Sequence, residues 1–176
     1  DKRAHDTYGI SYKSVDAKGV LELEPHLRSG FAGGVLMPDS VSVGDPSALG
    51  KAYGELFVQR GGRIVRGEAR TLDATRDGWQ VLASDGPIIA RDVIVALGPW
   101  ADDLMKGLGV NVPMFVKRGY HMHYKAAGNA TLNRPVIDTA GGYVITPMTK
   151  GIRLTTGAEF AHRDAVATPV QLGKVQ

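Results

Sequence analysis

The clearest helical period in the chain begins at Asp45, where Leu49, Ala52, Tyr53, Leu56 and Phe57 recur at the spacing of one helix face. Asp45 suits the N-cap, Pro46 the first helical position, and Gly61-Gly62 the stop, which predicts an amphipathic helix over 45–60 lying on a sheet. Upstream the signals are shorter. Residues 1–8 read as the end of a polar helix halted by Gly9, and 10–15 alternate like a strand. Asp16 can cap one helical turn that runs to Leu21-Glu22-Leu23-Glu24 and ends at Pro25, and Gly33 to Pro38 reads as a strand in a loop-rich stretch.

From residue 63 the period falls to two. Arg63-Ile64-Val65 predicts a short strand. Three further runs, Ala69 to Thr75, Trp79 to Ser84 and Ile88 to Ala90, are divided by Asp77-Gly78 and Asp85-Gly86. Asp-Gly between such runs is a hairpin signal, so a small antiparallel meander is predicted. Asp92-Val93-Ile94-Val95-Ala96-Leu97 is apolar without alternation, the pattern of a strand buried on both faces. It leads through Gly98-Pro99-Trp100 into a helix with Trp100, Leu104 and Leu108 on one stripe, and with Asp102 and Asp103 in its first turn. Met114 to Tyr124 alternates again, 126–135 reads as loop, and 142–146 with 152–156 read as a hairpin. The last ten residues carry no pattern.

Composition narrows the picture. With 176 residues, 43% hydrophobic and 22% charged, the chain suits one domain or a domain plus part of a second. Cys is absent, which excludes disulfides, thiolate nucleophiles and Cys zinc sites, and fits a reducing, cytoplasmic compartment. The 21 basic residues exceed the 18 acidic ones by 3 with no block of like charge, so nucleic acid is not an expected partner. No stretch of about 18 apolar residues is present to span a membrane, and no signal peptide opens the chain. A first residue Asp1 and a last residue Gln176 suggest an excised or processed piece.

Candidate chemistry is sparse. A Gly at the junction of an apolar strand and a helix lets backbone approach a ligand closely, which singles out Gly98-Pro99-Trp100; an ordinary tight corner is the alternative. Gly107-Leu108-Gly109 follows a helix and lacks a third Gly, so no phosphate loop is recognised. His121 and His123 share a strand face but want a third ligand, so no metal is expected. No carboxylate pair and no nucleophile elbow stands out, and no catalytic residue is assigned. Tyr120, Tyr143 and Phe160 are aromatics on strand ends, for which core packing is the alternative. Arg118 and Arg153 are treated as solvated strand residues.

Taken in order, several stretches resemble the D-amino-acid oxidase/dehydrogenase superfamily of FAD-dependent oxidoreductases. They are Leu21 to Leu27, Gly33 to Asp39, Gly44-Asp45-Pro46, Ala90 to Ala101, Lys117-Arg118-Gly119-Tyr120, Gly142 to Pro147 and Thr156 to Phe160. The resemblance implies the middle of a longer flavoprotein. Its fold would be α+β: a mixed, mostly antiparallel sheet with flanking helices, plus one strand-helix unit of the FAD domain. The segments would be 1–68 (substrate domain, with helix 45–60), 69–110 (meander and FAD-domain unit) and 111–176 (substrate-domain sheet).

By the same resemblance, Ala69 (or Arg70 in the neighbouring register), Ala96, Gly98, Pro99 and Trp100 would lie against FAD. Tyr120, His121, Tyr143 and Phe160 would line the substrate site, Tyr143 helping to hold the substrate carboxylate. The implied chemistry is hydride transfer from an amino-acid or amine Cα to the flavin, then hydrolysis of the imine to a 2-oxo acid and ammonia. The isolated 176 residues would be inactive and bind FAD poorly. Hetero- or homo-oligomers, and a peripheral place on the inner membrane for the full-length protein, are further implications. A non-catalytic binding or assembly module built on the same sheet is the competing expectation.

Overall fold

The computed structural model describes residues 2–175; Asp1 and Gln176, the two ends of the patterns above, lie outside the described residues. The chain divides into two compact units. One comprises Asp1–Leu49, Gly119–Ala158 and Thr168–Gln176, the other Gly50–Arg118 and Glu159–Ala167.

In the first unit, α1 (Lys2–Thr7) ends at Gly9, whose φ of +63° suits a residue without a side chain. Strand β1 (Lys13–Asp16) pairs antiparallel with β2 (Gly33–Leu36). Between them lies α2 (Ala17–Leu23), which starts where the pattern predicts because the Asp16 carboxylate accepts the Gly19 N–H at 2.8 Å. The main sheet has the order β6-β9-β8-β7, from β6 (Lys117–Tyr124), β7 (Val136–Asp138), β8 (Tyr143–Met148) and β9 (Gly151–Phe160). The β7–β8 and β8–β9 pairs are antiparallel, and the β8–β9 turn reverses at Gly151, with φ of +121°. Its centre is closed by Leu154 and Thr156, both buried. A short helix, α5 (Val170–Gly173), closes the unit where no pattern is expected.

In the second unit most of α3 (Pro46–Gln59) precedes the predicted meander of β3 (Gly67–Thr75), β4 (Gly78–Ala83) and β5 (Gly86–Ala90). The register is antiparallel throughout, with a bulge between Glu68 and Asp73. There Thr71 Oγ1 fills the gap, donating to the Glu68 carbonyl at 2.7 Å and accepting from the Leu82 N–H at 2.9 Å. A 3₁₀ turn at Gly98–Trp100 runs into α4 (Ala101–Gly107), whose Leu104 is buried, as is Leu72 of β3.

Two predicted strands do not form. Residues 63–66 and 92–97 carry no regular secondary structure, and Ile94 is 90% exposed. An apolar run of this kind is ordered as a strand by neighbours on both sides, and the described residues supply none. Of the expected strand-helix unit, therefore, the helix is present and the strand is not, its apolar run lying open.

The shortage of burial is general. The chain exposes 13457 Å², whereas a folded monomer of this mass exposes about 8,300 Å², and two separate bodies of half the mass about 10,000 Å² in all. Val41, Tyr8, Phe115, Val166 and Phe160 are among the large apolar side chains left in water.

Candidate substrate and flavin surfaces

The end of the β7–β8 hairpin is built around one carboxylate. Asp138 Oδ1 accepts the N–H groups of Ala140 at 3.0 Å and Gly141 at 2.8 Å, closing an Asx turn. Gly142 then takes a φ of +69°, and Tyr143 returns opposite Asp138 in the ladder. The Tyr143 ring lies over Gly141 so closely that an added Cβ there would stand 2.5 Å from Cε1. Burial and the neighbouring carboxylate raise the Tyr143 phenol above its ordinary value, while the Gly141 N–H, above all, lowers Asp138.

Continuing the β8–β9 ladder one residue past Val144 and Thr155 sets Tyr143 beside Thr156. The Thr156 hydroxyl meets the backbone N–H and carbonyl of Tyr120 at 3.3 Å, which ties β6 to β9 at Tyr120. The Tyr120 hydroxyl accepts the Thr168 N–H at 2.9 Å, a bond that ties down the chain ahead of α5. His121 points to the other side of β6, with its ring 5.6 Å from that of His123. Burial, Arg153 and His123 together push its pKa down. Tyr120 and Tyr143 thus lie on the two strands that flank β9, and His121 projects from the face of β6 opposite to Tyr120.

The second unit holds the other predicted residues. Gly98 adopts a φ of +54°, and no atom lies within 4 Å of the place a Cβ would take. Trp100 is half-exposed and carries the Arg163 guanidinium 5.9 Å from its ring centroid. Arg163 is held in turn by Asp103 at 2.8 Å and Asp164 at 2.9 Å. Ala96 lies exposed in the irregular segment 92–97, and Ala69 sits half-buried at the start of the bulge. Phe160 is 73% exposed rather than in a core, its ring 5.5 Å from Phe115 and 6.0 Å from Lys117 Nζ.

These residues fit a surface against which a flavin lies, because Gly98 leaves open space beside an exposed backbone. They do not hold a diphosphate: Pro99 has no N–H, and the Trp100 N–H is already bonded to the Leu97 carbonyl. Among the described residues no group of three His, Asp or Glu is placed to hold a metal, and no helix is long and apolar enough to cross a membrane.

Asp138 and Arg163 went unnoticed in the sequence. Asp138 followed by Gly141-Gly142 between two strands was the available signal for a side-chain-closed turn. Nothing local announces Arg163, whose partners lie 60 residues away on α4 and next to it in the chain.

Comparison with solved structures gives the class first: the fold is that of flavoprotein amino-acid oxidases. Glycine oxidase from Geobacillus kaustophilus superposes with a TM-score of 0.80 at 20% identity, over 97% of this chain and 46% of the other. Iminodiacetate oxidase from Chelativorans sp. BNC1 gives 0.73 at 24%, over 99% and 48%. Residues 1–174 match the family described as DAO, FAD dependent oxidoreductase, and the chain belongs to that family. Among curated relatives, the D-amino acid dehydrogenase of Rhizobium rhizogenes is 30% identical over 147 residues, 80% of this chain and 32% of the relative. That of Methylobacterium sp. strain 4-46 is 28% identical over 92% of this chain. The chain spans about 40% of the length of such relatives.

Proposed function

We propose that this chain is part of an FAD-dependent dehydrogenase or oxidase that oxidises an amino acid or secondary amine at Cα, with a D-amino acid as the first substrate class to test. Its likeness to D-amino acid dehydrogenases over 80–92% of the chain carries this reading. Residues 69–110 belong to the flavin side, with Ala69, Ala96 and Gly98-Pro99-Trp100 against the cofactor. The sheet of 111–176 belongs to the substrate side, with Tyr120, Tyr143 and Phe160, whereas His121 lies on the opposite face of β6.

Flavin, when bound, supplies the hydride acceptor. What this chain contributes is placement. Gly98 allows close approach, the Arg163–Trp100 stack fixes the indole beside the turn, and the rigid β7–β8 hairpin holds Tyr143. Orientation of the reacting carbon and exclusion of water are the protein's tasks in such a reaction, and neither demands an acid/base pair.

The test is to express the full gene product, record its visible spectrum and assay a panel of D- and L-amino acids and N-alkyl glycines with an artificial electron acceptor. A yellow protein that releases 2-oxo acid from D-amino acids supports the reading. A colourless protein inert to the panel overturns it in favour of a binding or assembly module on the same sheet.

A further inference from the structure

Arg153 pairs with Thr146 in the β8–β9 ladder, two positions from the Thr155–Val144 pair. Arg153, Thr155 and Thr146 therefore share one face of the sheet, and alternation sends Tyr143 to the other. On the far side of β9 lies β6. Gly151 packs against the Tyr124 carbonyl, and the Thr156 hydroxyl meets the Tyr120 backbone, so the two strands run antiparallel. Counting along them sets His123 beside Arg153 and His121 beside Thr155. The two imidazole rings stand 5.6 Å apart, centroid to centroid. Three strands thus bring two imidazoles, a guanidinium and two hydroxyls to one face.

None of these five side chains has a hydrogen bond or an ion pair among the described residues. Arg153 is only partly exposed, and its Nε is out of water without an acceptor. An unmet guanidinium N–H is costly to bury, and a bound acceptor removes that cost. The charged groups that act on His121 are Arg153 and His123, both basic, and no carboxylate opposes them among the described residues. A carboxylate ligand has two oxygens, which one guanidinium fork satisfies. A phosphate presents three or four oxygens and up to two charges, which matches donors spread over three strands. We propose that Arg153, His121 and His123, with the Thr155 and Thr146 hydroxyls, form a site for a phosphate group on the sheet face away from Tyr143. Inorganic phosphate, a soluble phosphate monoester and a phospholipid headgroup share this chemistry. The site is independent of the proposed oxidation.

The full gene product, grown with 13C-labelled histidine, tests this by NMR at pH 7, with FAD in excess and ionic strength held constant by chloride. His121→Gln and His123→Gln assign the two signals. Inorganic phosphate should shift both saturably, half-way by about 5 mM, and acetate should bind at least about tenfold more weakly. Arg153→Met should weaken phosphate at least about tenfold, with circular dichroism showing the sheet still folded. Where Arg153→Met does not fold, the double variant His121→Gln/His123→Gln should show the same loss by 31P NMR. Competition by glycerol phosphate without sedimentation on vesicles containing phosphatidic acid assigns a soluble ligand. Sedimentation that the double variant loses assigns a headgroup.

No saturable shift with phosphate, an equal shift with acetate, a shift seen only when FAD is left out, or undiminished binding in a folded Arg153→Met overturns the site. Failure of the oxidoreductase reading would instead be seen as absent flavin and absent turnover, with the histidine signals still judging the phosphate site.

Discussion

Arg134 donates through Nη1 both to Glu24 Oε1 at 3.1 Å and to the Leu23 carbonyl at 2.7 Å, clamping the loop before β7 onto the end of α2. Glu24's side chain is 4% exposed and that of Arg134 39%, and the Asn133 N–H reaches Glu24 Oε2 at 2.9 Å. They stand in the wall of a cavity of about 480 Å³ that is otherwise largely apolar, with Val20, Leu27, Phe31 and Val136 in its lining. The two partners are not equivalent. Arg134→Met strands a carboxylate that is out of water, and even with the Asn133 bond kept should cost about 2–3 kcal/mol. Glu24→Gln keeps an acceptor oxygen for only one of the two donors and turns an NH2 toward the other, but it strands no charge and should cost less, about 1–2 kcal/mol. Urea unfolding of the two variants checks the order, and a larger loss in Glu24→Gln would contradict it.

At Gly98 the demand is conformational. Its φ of +54° is one that a side chain resists, although the space around it is open. Gly98→Ala should therefore cost about 1–2 kcal/mol in thermal unfolding, and Gly98→Asn less, since Asn tolerates this region. If a flavin lies against the turn, Gly98→Ala should also weaken flavin retention by more than the stability loss explains. Retention unchanged in the full gene product would place the cofactor elsewhere.

Opposite limbs of the pH-stability curve report on the hairpin. Asp138 is lowered in the folded state, so its contribution is present above the unfolded value near about 4 and is lost as pH falls through the lower folded value. Tyr143 is raised, so its contribution is present below about 10 and is lost as pH climbs through the higher folded value. Asp138→Asn should flatten the acid limb and shorten the alkaline one. Urea midpoints at pH 3–5 and pH 9–11 check both, and an Asp138→Asn curve parallel to the parent would refute the coupling.

His121 gives a third pH signal on the other face of β6. Burial, Arg153 and His123 disfavour its charged form, so stability should fall as pH drops below about 6.5. Arg153 has a buried Nε without a hydrogen-bond partner among the described residues, and no carboxylate appears among the groups acting on His121. His121→Gln should remove that part of the slope between pH 7.5 and 5.5. A slope that persists unchanged would assign it to other groups.

How much of this was legible depended on how local each cause is. Helix 45–60, the Asp16 cap and the meander are specified by residues within a few positions of one another, and the pattern located them within a few residues. Val136–Asp138 was missed because three residues after Pro135 carry no period, and β8 makes them a strand. Residues 92–97 were misjudged for the converse reason: the apolar run is real, but strand structure there needs neighbours that the described residues lack. At the candidate site, Tyr143 could be singled out as an aromatic at a strand end. Asp138 could not, because its relation to Tyr143 exists only in the cross-strand register.

Val93, Ile94 and Trp100 bring the exposed edge and the flavin question together. An apolar segment left in water beside a Gly-opened turn invites a covering layer, while Pro99 lacks an N–H and that of Trp100 is already used. The 176 residues alone should therefore retain no stoichiometric FAD through gel filtration, and should expose enough apolar surface to bind a hydrophobic dye. The full gene product should retain the flavin and bind little dye. Ile94→Asp separates the two states: it should be neutral or solubilising in the 176-residue piece, where the side chain is in water, and destabilising in the full product, where a buried unpaired carboxylate would have to be accommodated. Yellow flavin in the short piece, or an Ile94→Asp without effect in the long one, would show that this edge is not where the rest of the protein packs.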